Sequence, residues 1–203
     1  MPDAPTTARV RAKAERRDAL LSEAARLFAG HGFDGVSIED LGSSVGVSGP
    51  AVYRHFPSKQ AVLAALLVGV SEGLLDGGRA VVETSADAAT ALRRLIRFHV
   101  DFALRDPDVI RVQDRSLAAL APQDREAVRD LQRRYVELWV DVLARLSPAT
   151  DRAELRLRAQ ATFGLLNSTP HSARSVTPTR TRALLEEMAL AALTGPATRA
   201  PTR

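Results

Sequence analysis

Twenty-three residues, Ser37 to Lys59, read SIEDLGSSVGVSGPAVYRHFPSK and leave the chain few ways to fold there. Ser37 precedes a short helix with Ile38 and Leu41 as its apolar spots, and a serine there accepts hydrogen bonds from the first free N–H groups. Val45-Gly46-Val47 is a tight turn, with Gly46 free to take a positive φ. Ser48 then opens a second helix of about two turns, with Pro50 in its first turn where no N–H is missed. Val52 and Phe56 face one way; Tyr53, Arg54 and His55 ring the other side. A helix that short cannot hold itself without a partner. One face must be braced, and the other is left to be read.

Two short helices about such a turn form a helix-turn-helix, whose second helix enters the DNA major groove. The runs S-I-E-D-L-G and G-V-S-G-P-A-V-Y-R-H-F-P-S-K resemble the N-terminal DNA-binding domain of the TetR/AcrR family of bacterial transcription regulators. The resemblance extends upstream through Ala24-Ala25-Arg26-Leu27-Phe28 and Gly30-His31-Gly32-Phe33, so it covers residues 14–67. Ala51 departs from it, standing where the family often has Ser or Thr. That loses a hydroxyl and leaves a methyl suited to thymine.

Composition narrows the rest. Alanine, leucine and arginine dominate and β-branched clusters are few, which predicts an all-α protein. No cysteine is present, so disulfides and thiolate metal sites are excluded, in keeping with a reducing cytoplasm. No secretory pattern opens the sequence, and its longest apolar run, Ala61 to Val70, is short for a bilayer span. A cytoplasmic protein with no membrane partner is expected. The net charge of +4 says little, but Arg9, Arg11, Lys13, Arg16 and Arg17 crowd the N-terminal arm, opposed locally by Glu15 and Asp18. They either reach DNA phosphates or form a solvated face; the sequence leaves both open.

Residues 1–8 lack an apolar period and are expected to be a disordered arm. The DNA-binding domain is expected over 9–57, a ligand-binding and dimerisation domain over 58–195, and a flexible tail over 196–203. The first helix runs to about Ala29. A fourth starts after Pro57-Ser58 and weakens at Gly77-Gly78, near Asp76. Further helices span Ala86 to Arg105, Asp108 to Leu120, Pro122 to Leu146 and Pro148 to about Leu166, with a loop from Asn167 to Thr177. A last helix runs from Pro178 to Thr194, for about nine in all. In the resembled family the last two helices pair with a second copy. Phe163, Leu166, Leu184, Leu185, Met188 and Leu193 are either that seam of a homodimer or ordinary core.

The resemblance implies a set of DNA contacts. Gly49, Pro50 and Ala51 lie nearest base edges, Arg54 reaches guanine or phosphate, and Tyr53, His55 and Lys59 match phosphate-binding positions. Ser37 and Ser48 add contacts at helix starts. Tyr53 packing on the core and His55 lying idle at the surface stay open alternatives. The target is double-stranded DNA with a palindromic operator, since paired heads read half-sites one turn apart. For an effector, Phe98, His99, Phe102, Gln113, Tyr135 and Trp139 offer polar tips on apolar bodies, the usual make-up of a small-molecule site; each is equally readable as core.

Val109 to Asp114, Arg133 to Leu143 and Thr169 to Arg174 also resemble actinobacterial regulators of fatty-acid and sterol breakdown, some of which respond to acyl-CoA. That resemblance implies Arg174 and His171 for the CoA phosphates and the aromatic residues for the acyl chain. A solvated loop arginine is the competing reading. His31, His55, His99 and His171 stand far apart, with no metal-binding pair, phosphate loop or nucleophile elbow. No catalysis, cofactor or metal is expected. The sequence predicts a regulator, most simply a repressor, released from DNA by a ligand; the alternative is a protein-interaction module of the same fold.

Overall fold

The computed structural model describes residues 4–172 and 176–195. They form helices α1 (Ala4–His31), α2 (Ile38–Ser44), α3 (Gly49–Val52), α4 (Lys59–Glu83), α5 (Ala88–Arg105) and α6 (Pro107–Ser116). A 3₁₀ turn (Leu117–Ala119) follows, then α7 (Pro122–Leu146), α8 (Arg152–Leu166), α9 (Thr169–Ser172) and α10 (Pro178–Thr194). No strand occurs among the described residues.

The chain packs as two compact units rather than dividing at residue 57. Of the described residues, one comprises 4–70 and 108–128, the other 71–107, 129–172 and 176–195. Helices α4 and α7 each run through both. The core of the first unit gathers Leu20, Phe28, Ile38, Leu41, Val52 and Phe56 with Val62, Leu63, Leu66 and Leu67 of α4. In the second, Leu92, Leu95 and Ile96 of α5 pack with Trp139, Val140 and Leu143 of α7, Leu155 and Leu166 of α8, and Leu185 and Leu193 of α10.

The boundaries depart from expectation where local signals met a stronger term. Helix α1 begins at Ala4, so most of the arm expected to be disordered is helical: alanine and arginine favour helix, and Pro5 falls in the first turn. The expected tail at 196–203 lies outside the described residues. Helix α4 runs on past Asp76 to Glu83. A Cβ on Gly77 would sit 2.4 Å from Cζ of Phe98, and one on Gly78 2.7 Å from Cε2 of Tyr135. Those glycines mark close packing against α5 and α7, which outweighs their poor helix propensity. Pro148 starts no helix. It lies in a turn closed by Thr150 N–H on the Ser147 carbonyl (3.0 Å), and Asp151 caps α8 through Ala153 N–H (2.8 Å). The expected loop after Leu166 contains the one-turn helix α9, held to α5 by Thr169 Oγ1 donating to Ala103 O (2.9 Å).

Helix α4 is long and apolar enough by composition to cross a membrane, with a mean hydropathy of 1.5 in its most apolar window. Its stripe of Val62, Leu63, Leu66, Leu67 and Leu75 is buried within the protein, as in a core helix. Of the expected dimer seam, Leu166, Leu185 and Leu193 are likewise buried in the chain's own core, and Phe163 packs against it. Leu157 of α8 and Met188 of α10, by contrast, are 66% and 50% exposed.

Candidate functional site

The head is built around the corner between α2 and α3. Ser37 and Asp40 form a reciprocal cap: Ser37 Oγ accepts from Asp40 N–H (3.0 Å), and Asp40 Oδ2 accepts from Ser37 N–H (2.8 Å) and from the Ser37 hydroxyl (2.7 Å). The hydrogen bonds from Ser37 hold the Asp40 carboxyl below its ordinary range. The Ser37 hydroxyl is therefore committed to the fold. Gly46 turns the corner at φ 70°, a left-handed conformation suited to glycine. Gly42 is needed for a different reason. A Cβ there would lie 2.7 Å from Val47 O, 3.1 Å from Ser48 C and 3.2 Å from Gly49 N, all backbone. No sequence pattern signals this, because the close approach depends on how the chain returns after the turn.

Helix α3 is shorter than expected. It spans one turn, and Ser48 at its N-cap makes no side-chain capping bond. Tyr53, Arg54 and His55 continue it as tightened turns, with Arg54 N–H on Ala51 O (3.3 Å) and His55 N–H on Val52 O (2.8 Å). Pro57 keeps these turns from running further, since it disfavours helical conformation at Phe56 before it. Gly49 is buried against Glu39, whereas Pro50, Tyr53 and Arg54 are exposed and Ala51 is half-buried. The Tyr53 ring thus stands in solvent, 53% exposed. His55 Nδ1 is buried and makes no hydrogen bond among the described residues. Burial and then the positive charges of Lys13, Arg16, Arg17 and Arg54 depress its pKa.

Lys59 has contacts within the head besides the phosphate role that the resemblance implies. Its Nζ donates to Phe33 O and Val36 O, both at 2.8 Å, and lies 4.5 Å from the Phe33 ring centroid. At most one N–H is left for a phosphate. Lys59→Ala is accordingly expected to destabilise the head by about 2 kcal/mol, the scale of a charge-assisted hydrogen bond lost. Thermal unfolding without DNA measures it; an unchanged midpoint would return Lys59 to a purely DNA-facing role.

The second unit holds a polar–aromatic cluster. His99 of α5 places Nδ1 3.4 Å from the Tyr135 hydroxyl and Nε2 3.0 Å from Asn167 Oδ1. Phe163, Phe102, Tyr135 and Trp139 surround its ring at centroid distances of 4.9, 5.6, 5.8 and 6.2 Å. Burial drives the His99 pKa down to about 4, so the ring is neutral at pH 7; a proton on Nε2 then suits both contacts. Burial raises the Tyr135 phenol well above its ordinary value. Trp139 is fully buried, and its Nε1–H meets no acceptor in hydrogen-bonding geometry among the described residues.

Thus His99, Phe102, Tyr135 and Trp139 come together, and Phe98, half-buried, packs against Gly77. Gln113 belongs to the first unit, on α6. His171 is exposed on α9, and Arg174 lies outside the described residues. Phe163 and Asn167 join the cluster unanticipated. They stand at i and i+4 across the end of α8, a spacing that sets them on one side of the helix. Among the described residues no group of three or more His, Cys, Asp or Glu side chains is placed to hold a metal.

Comparison with known proteins adds three findings. Residues 20–66 match the model of bacterial regulatory proteins of the tetR family, and residues 85–171 match the tetracyclin repressor-like C-terminal domain. The nucleoid occlusion factor SlmA of Salmonella typhi is 30% identical over 146 residues, covering 71% of each chain. The HTH-type transcriptional repressor KstR2 of Rhodococcus jostii is 26% identical over 132 residues, 64% of this chain and 65% of that one. A TetR-family transcriptional regulator from Bordetella parapertussis superposes with a TM-score of 0.77 at 28% identity, over 88% of this chain and 94% of that one.

Proposed function

Because the chain belongs to the TetR family of bacterial regulatory proteins, we propose that it is a cytoplasmic, homodimeric repressor that holds a palindromic operator and lets go when an acyl-CoA-type ligand enters its body. The likeness to a repressor C-terminal domain and to KstR2 supports the sign of control. Helix α3 with its following turn presents Pro50, Ala51, Tyr53 and Arg54 as the reading surface, over a corner that Gly42 and Gly46 keep tight. One head contacts few base pairs; two, about 34–36 Å apart, read a palindrome. Leu157 and Met188, large apolar side chains exposed on α8 and α10, supply a reason for those helices to bury themselves against a second copy.

One observation carries the ligand site: the buried Trp139 Nε1–H acts on the Tyr135 hydroxyl without meeting it in hydrogen-bonding geometry, inside the cluster around His99. Buried donors are nearly always satisfied, and a ligand carbonyl would satisfy this one. The rings already touch, so an acyl chain can enter only by separating them. A ligand that binds a parted arrangement better than the packed one shifts the population toward it. A coupling of about 1–3 kcal/mol then weakens DNA binding by roughly 5–150-fold. Acyl-CoA as the ligand class rests on the resemblance to regulators of lipid breakdown, with His171 and Arg174 placed by that resemblance as its phosphate contacts.

Selection of bound duplexes from a random pool, repeated with acyl-CoAs of several chain lengths, tests this reading. Recovery of a palindrome that one acyl-CoA abolishes is the expected result. Binding of every duplex alike would instead favour a DNA-binding role without sequence preference. On the selected operator, Arg54→Ala should cost about 1–3 kcal/mol, and clearly less on random duplex. Equal losses on both would mean that Arg54 touches only phosphate.

A further inference from the structure

Helix α1 does not merely brace the two reading helices. Lys13, Arg16 and Arg17 stand at i, i+3 and i+4, one face of the helix. Arg16 Nη1 donates to the Val45 carbonyl (3.1 Å), tying that face to the corner of the helix-turn-helix. The Arg17 guanidinium lies 4.9 Å from the centroid of the Phe56 ring, just past the end of the reading turn. Both contacts fix long side chains that would otherwise be free, and both bring the face beside His55. The charges of Lys13, Arg16, Arg17 and Arg54 all act on that imidazole. Cations from two separate elements therefore converge on one patch of the head, continuous with the exposed Tyr53 and Arg54.

Four like charges held together repel one another, and the Val45 and Phe56 contacts hold two of them in place against that repulsion. What it favours is an anion. An arginine stacked on an aromatic ring keeps its outer N–H groups free for a phosphate, and its planar fork suits one. We propose that Lys13 and Arg17 of α1, beside the base-reading Arg54, form a seat for a backbone phosphate of duplex DNA, with Arg16 as the positioning residue that clamps α1 against the corner. The seat rests on the DNA-binding reading above and goes beyond it: α1 becomes part of the interface, and its contribution is independent of sequence.

Phosphate contacts are counted by salt. Each one removed should flatten the slope of log Kobs against log salt by about 0.9 for B-DNA. The full chain is titrated with a random-sequence duplex at several salt concentrations, so no operator need be known. Lys13→Gln, at an exposed position, is expected to bind several-fold more weakly at low salt and to lose about one unit of slope per bound head, while Lys13→Arg keeps both. Arg17→Gln should match Lys13→Gln in slope, with its unfolding midpoint measured alongside to separate loss of the Phe56 stack. Arg16→Gln should weaken binding with less change of slope, as a positioning role requires. Arg93→Gln, on the exposed face of α5, serves as the control for a lost charge outside the seat. A parent slope retained in Lys13→Gln, or an equal drop in Arg93→Gln, overturns the seat. A parent chain that bound no duplex at all would overturn the DNA-binding reading with it.

Discussion

Alanine at Gly42 is expected to remove most DNA binding and to lower the stability of the head by about 1–3 kcal/mol, the usual cost of forcing atoms into a packed site. The added methyl would meet Val47 O at 2.7 Å, with Ser48 C and Gly49 N close behind. Backbone cannot swing aside as a side chain can. Relief requires moving the segment that leads into α3, and with it Pro50, Ala51 and Arg54. Two hydrogen bonds to the Gly42 carbonyl, from Val45 N–H (3.1 Å) and Val47 N–H (2.9 Å), would be disturbed by the same motion. Since about 1.4 kcal/mol is a factor of ten, a displaced reading turn should weaken operator binding by one to two orders of magnitude. Electrophoretic shift at fixed salt, with circular dichroism to follow unfolding, checks both. Unaltered operator affinity would mean that α3 tolerates the displacement.

Trp139→Ala should cost about 3–5 kcal/mol, the range for deleting a large aromatic from a core. Its ring is fully buried and lies 4.9 Å from Phe163, 6.1 Å from Tyr135 and 6.2 Å from His99 by centroid, so the void would open at the centre of the cluster. Trp139→Phe should cost far less, because the smaller ring also removes a buried donor that meets no acceptor in hydrogen-bonding geometry. The pair separates the two roles assigned to this residue. Stability follows from urea midpoints; ligand response follows from release of the operator by acyl-CoA. Trp139→Phe is expected to stay folded and bind DNA while losing most of the response. A full response in that variant would remove Nε1 from the ligand site.

How far the sequence reaches is uneven, for reasons visible at single residues. The corner at Gly46 was legible, because a glycine between two valines and two short helices has one obvious task, and it has φ 70°. Caps at Ser37 and Ser58 were legible for the same local reason. The aromatic stripe of α5 and α7 pointed to a common cluster. Its remaining members, Phe163 and Asn167, come from α8, and nothing within that helix says which neighbour it meets. Lys59 shows the converse difficulty. A lysine at a helix start beside a DNA-reading turn suggests phosphate, but its two carbonyl acceptors come from residues 33 and 36, and only the folded head brings them there. Gly77 and Gly78 looked like a helix end because propensity is all that sequence displays; the rings of Phe98 and Tyr135 supply the missing term.

Two other glycines on α4 behave differently. Gly69 and Gly73 have no neighbour within 4 Å of where a Cβ would stand, and neither has a positive φ. They flank the point between Val70 and Ser71 where the helix passes from one compact unit to the other. Neither packing nor turning requires them, yet each makes the helix weaker than alanine would by about 1 kcal/mol. The helix that belongs to both units is therefore weakest in its own backbone near the middle of its length, where a bend costs it least.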